Sequence, residues 1–188
     1  MTLRVLGPLA TGLTLAAIAF YAALWLWPAQ AMSSLAALAP TNGIVHFGRN
    51  DAKAAELAGA SSDLLISACT YDLSAGPLYV TVPVPKDTYW SVSGYGSGME
   101  IFVTINDRQS PLDTVEFLLA PRGDRIRSDD LAVIRSPSTT GVLVMRTLVN
   151  DETRAKQLDE ERRNSNCTTY KPPPPPEPPV PLPKPETG

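Results

Sequence analysis

The chain opens on an unbroken apolar stretch, changes after Asp63 to an alternation of apolar and polar positions, and ends in a run of prolines. From Val5 to Trp27 no residue carries a charge. At roughly 1.5 Å of rise per residue this stretch makes a helix of about 35 Å, long enough to cross a bilayer. Tyr21, Trp25 and Trp27 gather at its C-terminal end, where amphipathic rings favour the headgroup level, and Pro28 is expected to stop the helix just beyond them. Arg4, at the other end, favours a cytoplasmic N-terminus. The length of the stretch points to an uncleaved anchor, because signal-peptide apolar regions run about 7–15 residues. The alternative is a signal peptide cut after Ala31, since Ala29-Gln30-Ala31 has the small-x-small pattern. Either reading delivers the remainder to the extracytoplasmic side.

Residues 32–62 form an Ala-rich lead-in, in which DAKAAELAG reads as a short helix ended by Gly59. Beyond it the period is two, the signature of half-buried strands. Leu78, Val80, Val82 and Val84 fall on one face opposite Tyr79 and Thr81, with Pro83 marking a strand end or edge. A hairpin follows. Trp90 and Val92 alternate with serines, Gly96-Ser97-Gly98 supplies the turn, and Met99, Ile101, Val103 and Ile105 alternate with Glu100, Phe102 and Thr104. Further strands are expected at Val115 to Leu119, Leu131 to Arg135 and Gly141 to Val149. The expected fold is mainly β, a small antiparallel sandwich or barrel-like domain over residues 63–150. A closing helix within 151–170 should be capped by Asn150 and carry Glu152–Lys156 and Asp159–Arg163 ion pairs on a solvated face. Residues 171–188 are a proline-rich tail, suited to an extended spacer or a docking strand.

Charge narrows the function classes. The net charge is −3, and 16 basic residues are scattered among 19 acidic ones, so there is no basic surface for a nucleic acid. His46 is the only histidine, which removes most metal sites, and its place beside Phe47 suits a structural role. No metal or cofactor is expected. Ser97 has glycines directly on both sides and a strand after it, which fits a turn better than a nucleophile elbow or a dinucleotide fingerprint. No catalytic residue is assigned, and a hydrolase-type alternative would act through Ser97 or Asp72. Asp72, Asp107, Arg108, Arg135 and Arg146 lie in strand-like contexts, where such groups pair with one another or with turn backbone. A small-molecule alternative would use the aromatic hairpin, with Tyr89, Trp90, Tyr95 and Arg108 as the ligand-binding set. Cys69 and Cys167 are the only cysteines, and in an oxidising compartment they are expected to form a disulfide.

The run ACTYDLSAGPLYVTVPVPKDTYWSVSGY, then NDRQ at 106–109, then VIRSPSTTGVLVMRTLVND, resembles the family called domain of unknown function 1254, in a short membrane-anchored form. The resemblance covers roughly Asn42 to Tyr170. It implies the β fold and a bacterial cell-envelope setting, with the anchor in the inner (cytoplasmic) membrane and the domain in the periplasm, and it carries no reaction. Longer members fuse this module to a second β-rich module, the family numbered 1214, which this sequence lacks. The implied partner is therefore a second envelope protein carrying the missing module, and the expected function is non-catalytic partner binding at the membrane.

Overall fold

The structure is a computed structural model and describes residues 3–49, 51–52, 61–109 and 112–171. Most of the short helix expected over 51–59, and the proline run from Pro172, lie outside the described residues. The apolar segment forms α1 (Leu3–Ala36), which continues through Pro28 instead of stopping there. A proline removes a single intrahelical hydrogen bond, and here good helix formers stand on its C-terminal side in Ala29, Gln30, Ala31 and Met32. Within it Gly7–Ser34 has a mean hydropathy of 1.8 and is long and apolar enough to cross a membrane, as an anchor or a signal sequence would be.

Nine strands follow among the described residues: β1 (Gly43–His46), β2 (Leu64–Asp72), β3 (Leu78–Pro83), β4 (Trp90–Gly96), β5 (Ile101–Asn106), β6 (Thr114–Pro121), β7 (Ala132–Ser136), β8 (Thr140–Leu148) and β9 (Asn166–Thr169). They make a five-stranded sheet in the order β1-β2-β8-β4-β5 and a four-stranded sheet in the order β7-β6-β3-β9. The flanks of the two sheets meet, β1 near β9 and β5 near β7, without a hydrogen-bonded ladder between them, so the fold is a sandwich and no closed barrel forms. β1 and β9 lie outside residues 63–150, so both sheets draw on the flanking segments as well. One pair departs from the antiparallel pattern, since β7 runs parallel to β6. The intervening residues 122–131 return the chain to the same end of the sheet, and Arg135 Nη2 holds that connection through the Ile126 carbonyl at 2.7 Å.

The core between the sheets includes Leu78, Val80, Trp90, Val92, Phe117 and Leu143, and Cys69 of β2 bonds Cys167 of β9 across it, with Cα atoms 6.4 Å apart. A second cluster covers the outer face of the five-stranded sheet, where Met32 from α1 and Phe47 pack on Ile66, Ala68, Val142 and Val144. β2 and β8 are thus covered on both faces, which is why LLISACTYD reads as a continuous run and not as an alternation. The hairpin also departs from strict alternation. A register shift between Gly94 and Tyr95 turns Phe102 and Ile105, three positions apart, onto the same core. Phe102 meets Tyr71 edge-on at 6.3 Å, in space that a side chain on Gly94 would fill.

The closing segment is a 3-10 turn (Glu152–Arg154) followed by α2 (Ala155–Arg162). Its cap is Asp151, whose Oδ1 accepts from the Thr153 N–H at 2.9 Å, while Asn150 instead donates from Nδ2 to the Asp87 carbonyl. Asp159–Arg163 pairs as the spacing predicts, at 2.9 Å, but Glu152 pairs with Arg49 and Lys156 with Glu160. Nor is the face wholly solvated. Leu158 packs on Leu65 and Val149, and Arg162 is buried.

Candidate functional site

At the corner where α1 meets the tip of the β4–β5 hairpin lies a cleft of about 470 Å³. Met32 and Ser33 come from the helix, Thr41 precedes β1, Thr70 and Asp72 end β2, Ser97 is the hairpin turn and Thr140 begins β8. The hairpin tip is held there, as the Ser97 N–H donates to Ser138 Oγ at 2.8 Å and Ser138 Oγ donates to the Thr140 carbonyl at 2.9 Å. Behind the cleft the buried Tyr71 hydroxyl donates to the Tyr95 carbonyl at 3.1 Å and sits 2.9 Å from Ser136 Oγ, joining the two sheets. Burial pushes the Tyr71 phenol above its ordinary value, so it stays protonated as a donor.

Ser97 and Asp72, far apart in sequence, share this cleft. Its polar lining is hydroxyls and one carboxylate, and hydrogen bonds from Ser74 hold the exposed Asp72 carboxyl below its usual range. Such a carboxylate is a weak base for activating a serine. The single imidazole is elsewhere: His46 pairs with Ser67, five residues along β2 from Asp72 and so about 17 Å away. This chemistry suits recognition by hydrogen bonding.

Of the aromatic set, the structure does not bring Tyr95 together with Trp90. They stand at opposite ends of β4, about 17 Å apart at strand spacing, Trp90 in the core and Tyr95 on the outer face. Tyr89 is exposed beside Trp90, and Arg108 is exposed in the turn after β5, at the same end. That end holds a second cleft of about 460 Å³, which Trp90 lines with Asp87 and Asp107.

A third cluster escaped sequence reasoning. The Arg162 guanidinium donates to the Ile66 carbonyl at 2.6 Å, the Phe47 carbonyl at 2.7 Å and Ser67 Oγ at 3.0 Å, and it pairs with Asp159. Ser67 Oγ also lies 2.8 Å from His46 Nδ1. Arginine can only donate, so every group is used when Ser67 donates to a neutral His46 bearing its proton on Nε2. Burial, with Arg162 and Arg163 nearby, lowers the His46 pKa from 6.5. The buried serine, the half-buried histidine and the arginine form a structural knot rather than an open site. Among the described residues no group of His, Cys, Asp and Glu is placed to hold a metal ion.

The family model described as protein of unknown function (DUF1254) matches residues 41–169, from the residues just before β1 to the end of β9. The chain belongs to the DUF1254 family. Among curated proteins nothing matches it. The VPA0106 protein from Vibrio parahaemolyticus is similar in structure, with a TM-score of 0.60 and 16% identity over 78% of this chain and 37% of that one. An uncharacterized protein from Burkholderia cenocepacia aligns with a TM-score of 0.45 and 16% identity, over 58% of this chain and 32% of its own. The likeness to the Vibrio protein shows the fold, and this DUF1254 chain spans little more than a third of that protein's length.

Proposed function

We propose that this DUF1254 chain is a membrane-anchored, non-catalytic binding module of the bacterial cell envelope, its N-terminus cytoplasmic and its β domain periplasmic, which docks a second protein module supplied by a separate chain. The observation that carries the reading is the cleft between α1 and the hairpin tip. On the hairpin that carries Ser97, Ile101 and Met99 are 61% and 37% exposed, and Ile101 pairs with Tyr95, which packs on the outer-face cluster. Exposed apolar side chains near hydroxyl groups give the mixed apolar and polar surface that a partner can recognise. The Vibrio protein supports the choice of occupant, because there the same fold is part of a much longer polypeptide. With both partners tethered to one membrane, a weak contact gains from high effective concentration. The apolar helix and the disulfide support the setting, and an intact mass retaining Met1 to Ala31 is the expected sign of an uncleaved anchor.

The test places a photo-crosslinking residue at Ser97 of the full-length chain in its native membrane. The expected product is a crosslink to a protein similar to the part of the Vibrio polypeptide that this chain does not cover. Ile101→Lys should abolish it without changing the melting temperature, since the side chain is exposed. A crosslinked protein lacking that similarity, or a folded chain giving no intermolecular product, rejects the reading.

A further inference from the structure

Arg146 lies on β8, the central strand of the five-stranded sheet, and its side chain is on the outer face. The register fixes this direction. Val142 and Val144, four and two residues before it, belong to the outer-face cluster, and its cross-strand partner on β2 is Ile66 of the same cluster. On its other side Arg146 pairs with Ser91 of β4, which pairs with Asn106 of β5. The pairing with an acid or a turn backbone that its strand context suggests is not made. Arg146 is half-buried, and its guanidinium has no hydrogen-bond or ion-pair partner among the described residues.

The face around it is divided. Met32 and Phe47 pack over β2 and the first half of β8, whereas Ile101 and Thr104 of β5 are exposed. Between the two halves run Ser91 and Ser93, short side chains buried in the floor of the sheet, with Ser93 Oγ 3.4 Å from Thr104 Oγ1. Arg146 is the only charged residue of β4, β5 and β8. This strip is continuous with the docking corner, because Arg146 lies five residues along β8 from Gly141 of the cleft, or about 17 Å. An interface of ordinary size, about 800 Å² on each partner, is roughly 30 Å across, so one docked module can cover both.

We propose that the protein module docking at the corner also lies over β4 and β5 and sets an Asp or Glu carboxylate against the Arg146 guanidinium. This names the partner's chemistry and rests on the reading of the corner as a docking surface. Charge complementarity selects the occupant, since the three strands offer one cation and no acid. A guanidinium receives a carboxylate through two parallel hydrogen bonds, and arginines shielded from water by a partner are among the residues on which binding most depends. The hydroxyl and amide groups beside Arg146 can meet polar groups that flank the acid.

The experiment places a photo-crosslinking residue at the exposed Thr104 of the full-length chain in its native membrane, alongside a second chain labelled at Ser97. Both are expected to capture the same protein, and the peptide joined at Thr104, read by mass spectrometry, should contain an Asp or Glu. Arg146→Gln breaks no hydrogen bond or ion pair among the described residues, so it should leave the melting temperature unchanged while the Thr104 crosslink falls about tenfold or more. Arg146→Lys should recover part of the yield, because an ammonium keeps the charge without the fork. Arg146→Glu should lose the crosslink, and changing the partner's acid to Arg should restore it, which a folding defect would not allow. A crosslink at Ser97 without one at Thr104 overturns this proposal and leaves the corner reading standing. A Thr104 crosslink that Arg146→Gln removes, with none at Ser97, supports the proposal and rejects that reading. Full yield in Arg146→Gln, a joined peptide free of acids, or no product at either position overturns the proposal.

Discussion

Arg162 and Ser67 stand 95 residues apart in the chain, yet the guanidinium Nη1 donates to the serine hydroxyl at 3.0 Å. The contact ties α2 to the start of the inner strand β2, and through the Phe47 carbonyl it ties the end of β1 as well. A guanidinium fits because its planar fork presents several donors at fixed angles. Asp159, on the same helix, balances its charge. Burial alone would raise the Asp159 carboxyl, but hydrogen bonds from Arg163 and Arg162 hold it below the ordinary range.

Replacing Arg162 with Met strips the Phe47 carbonyl and Ser67 of the guanidinium donor and leaves the Ile66 carbonyl with the Phe47 N–H alone. The expected loss is about 3 kcal/mol or more in urea unfolding of the detergent-solubilised chain. Arg162→Lys should recover only part of it, because an ammonium cannot span the same fork. Wild-type stability in the Met variant would show that the knot contributes nothing.

The same knot sets a pH dependence. The folded His46 pKa lies below its unfolded value of 6.5, so within that window the unfolded chain binds more protons. Stability should be unaffected by His46 above about pH 7, decline as pH falls through 6.5, and level off below the folded pKa. Protonation would also remove the acceptor that Nδ1 offers to Ser67. Thermal melts between about pH 7 and pH 5 should slope downward in the wild type, and His46→Gln should flatten that slope. An identical slope in the variant would assign it to other groups.

The disulfide joins β2 of one sheet to β9 of the other over a sequence separation of 98. The chain-entropy model gives at most about 4.7 kcal/mol for a loop of this size, and typical bridges contribute about 2–4 kcal/mol. Changing Cys69 and Cys167 together to Ala should lower the midpoint of denaturant unfolding by a corresponding amount. Dithiothreitol should do the same to the wild type and leave the double variant unchanged.

Gly141 has no room for a side chain, because a Cβ there would overlap the Tyr95 carbonyl oxygen and the Tyr71 ring and hydroxyl. Gly141→Ala must displace the hydroxyl from both the Tyr95 carbonyl and Ser136. The expected cost is at least that of Tyr71→Phe, about 1–2 kcal/mol for hydrogen bonds made by a buried hydroxyl. Comparison of the two variants by thermal melting checks the order, and a Gly141→Ala chain as stable as wild type would contradict the close approach.

Where one property of the chain was enough, the sequence was readable. Uninterrupted apolar residues specify a membrane-length helix, alternation at Leu78 to Val82 specifies a strand with one buried face, and Gly96-Ser97-Gly98 specifies a tight reversal. The cysteines could be paired because there were only two. Local rules failed where a second layer of structure decided the outcome. β2 carried no period because residues on both its faces are covered, one by the opposing sheet and the other by Met32 and Phe47. Phe102 turned inward because a bulge shifted the register, and α1 ran through Pro28 because one missing hydrogen bond does not stop a helix. Charged residues were the hardest to place. Arg162 looks like one more solvated cation in DEERRN, and only the return of the closing helix to the end of β1 and the start of β2 gives it buried carbonyls to bind. Trp90 and Tyr95 read as one aromatic site because they are close in sequence, but an extended strand moves about 3.3 Å with each residue and sends alternate side chains to opposite faces. Sequence separation therefore fixed what each residue could do, and the packing of two sheets, a bulge and a returning helix fixed which residues could act together.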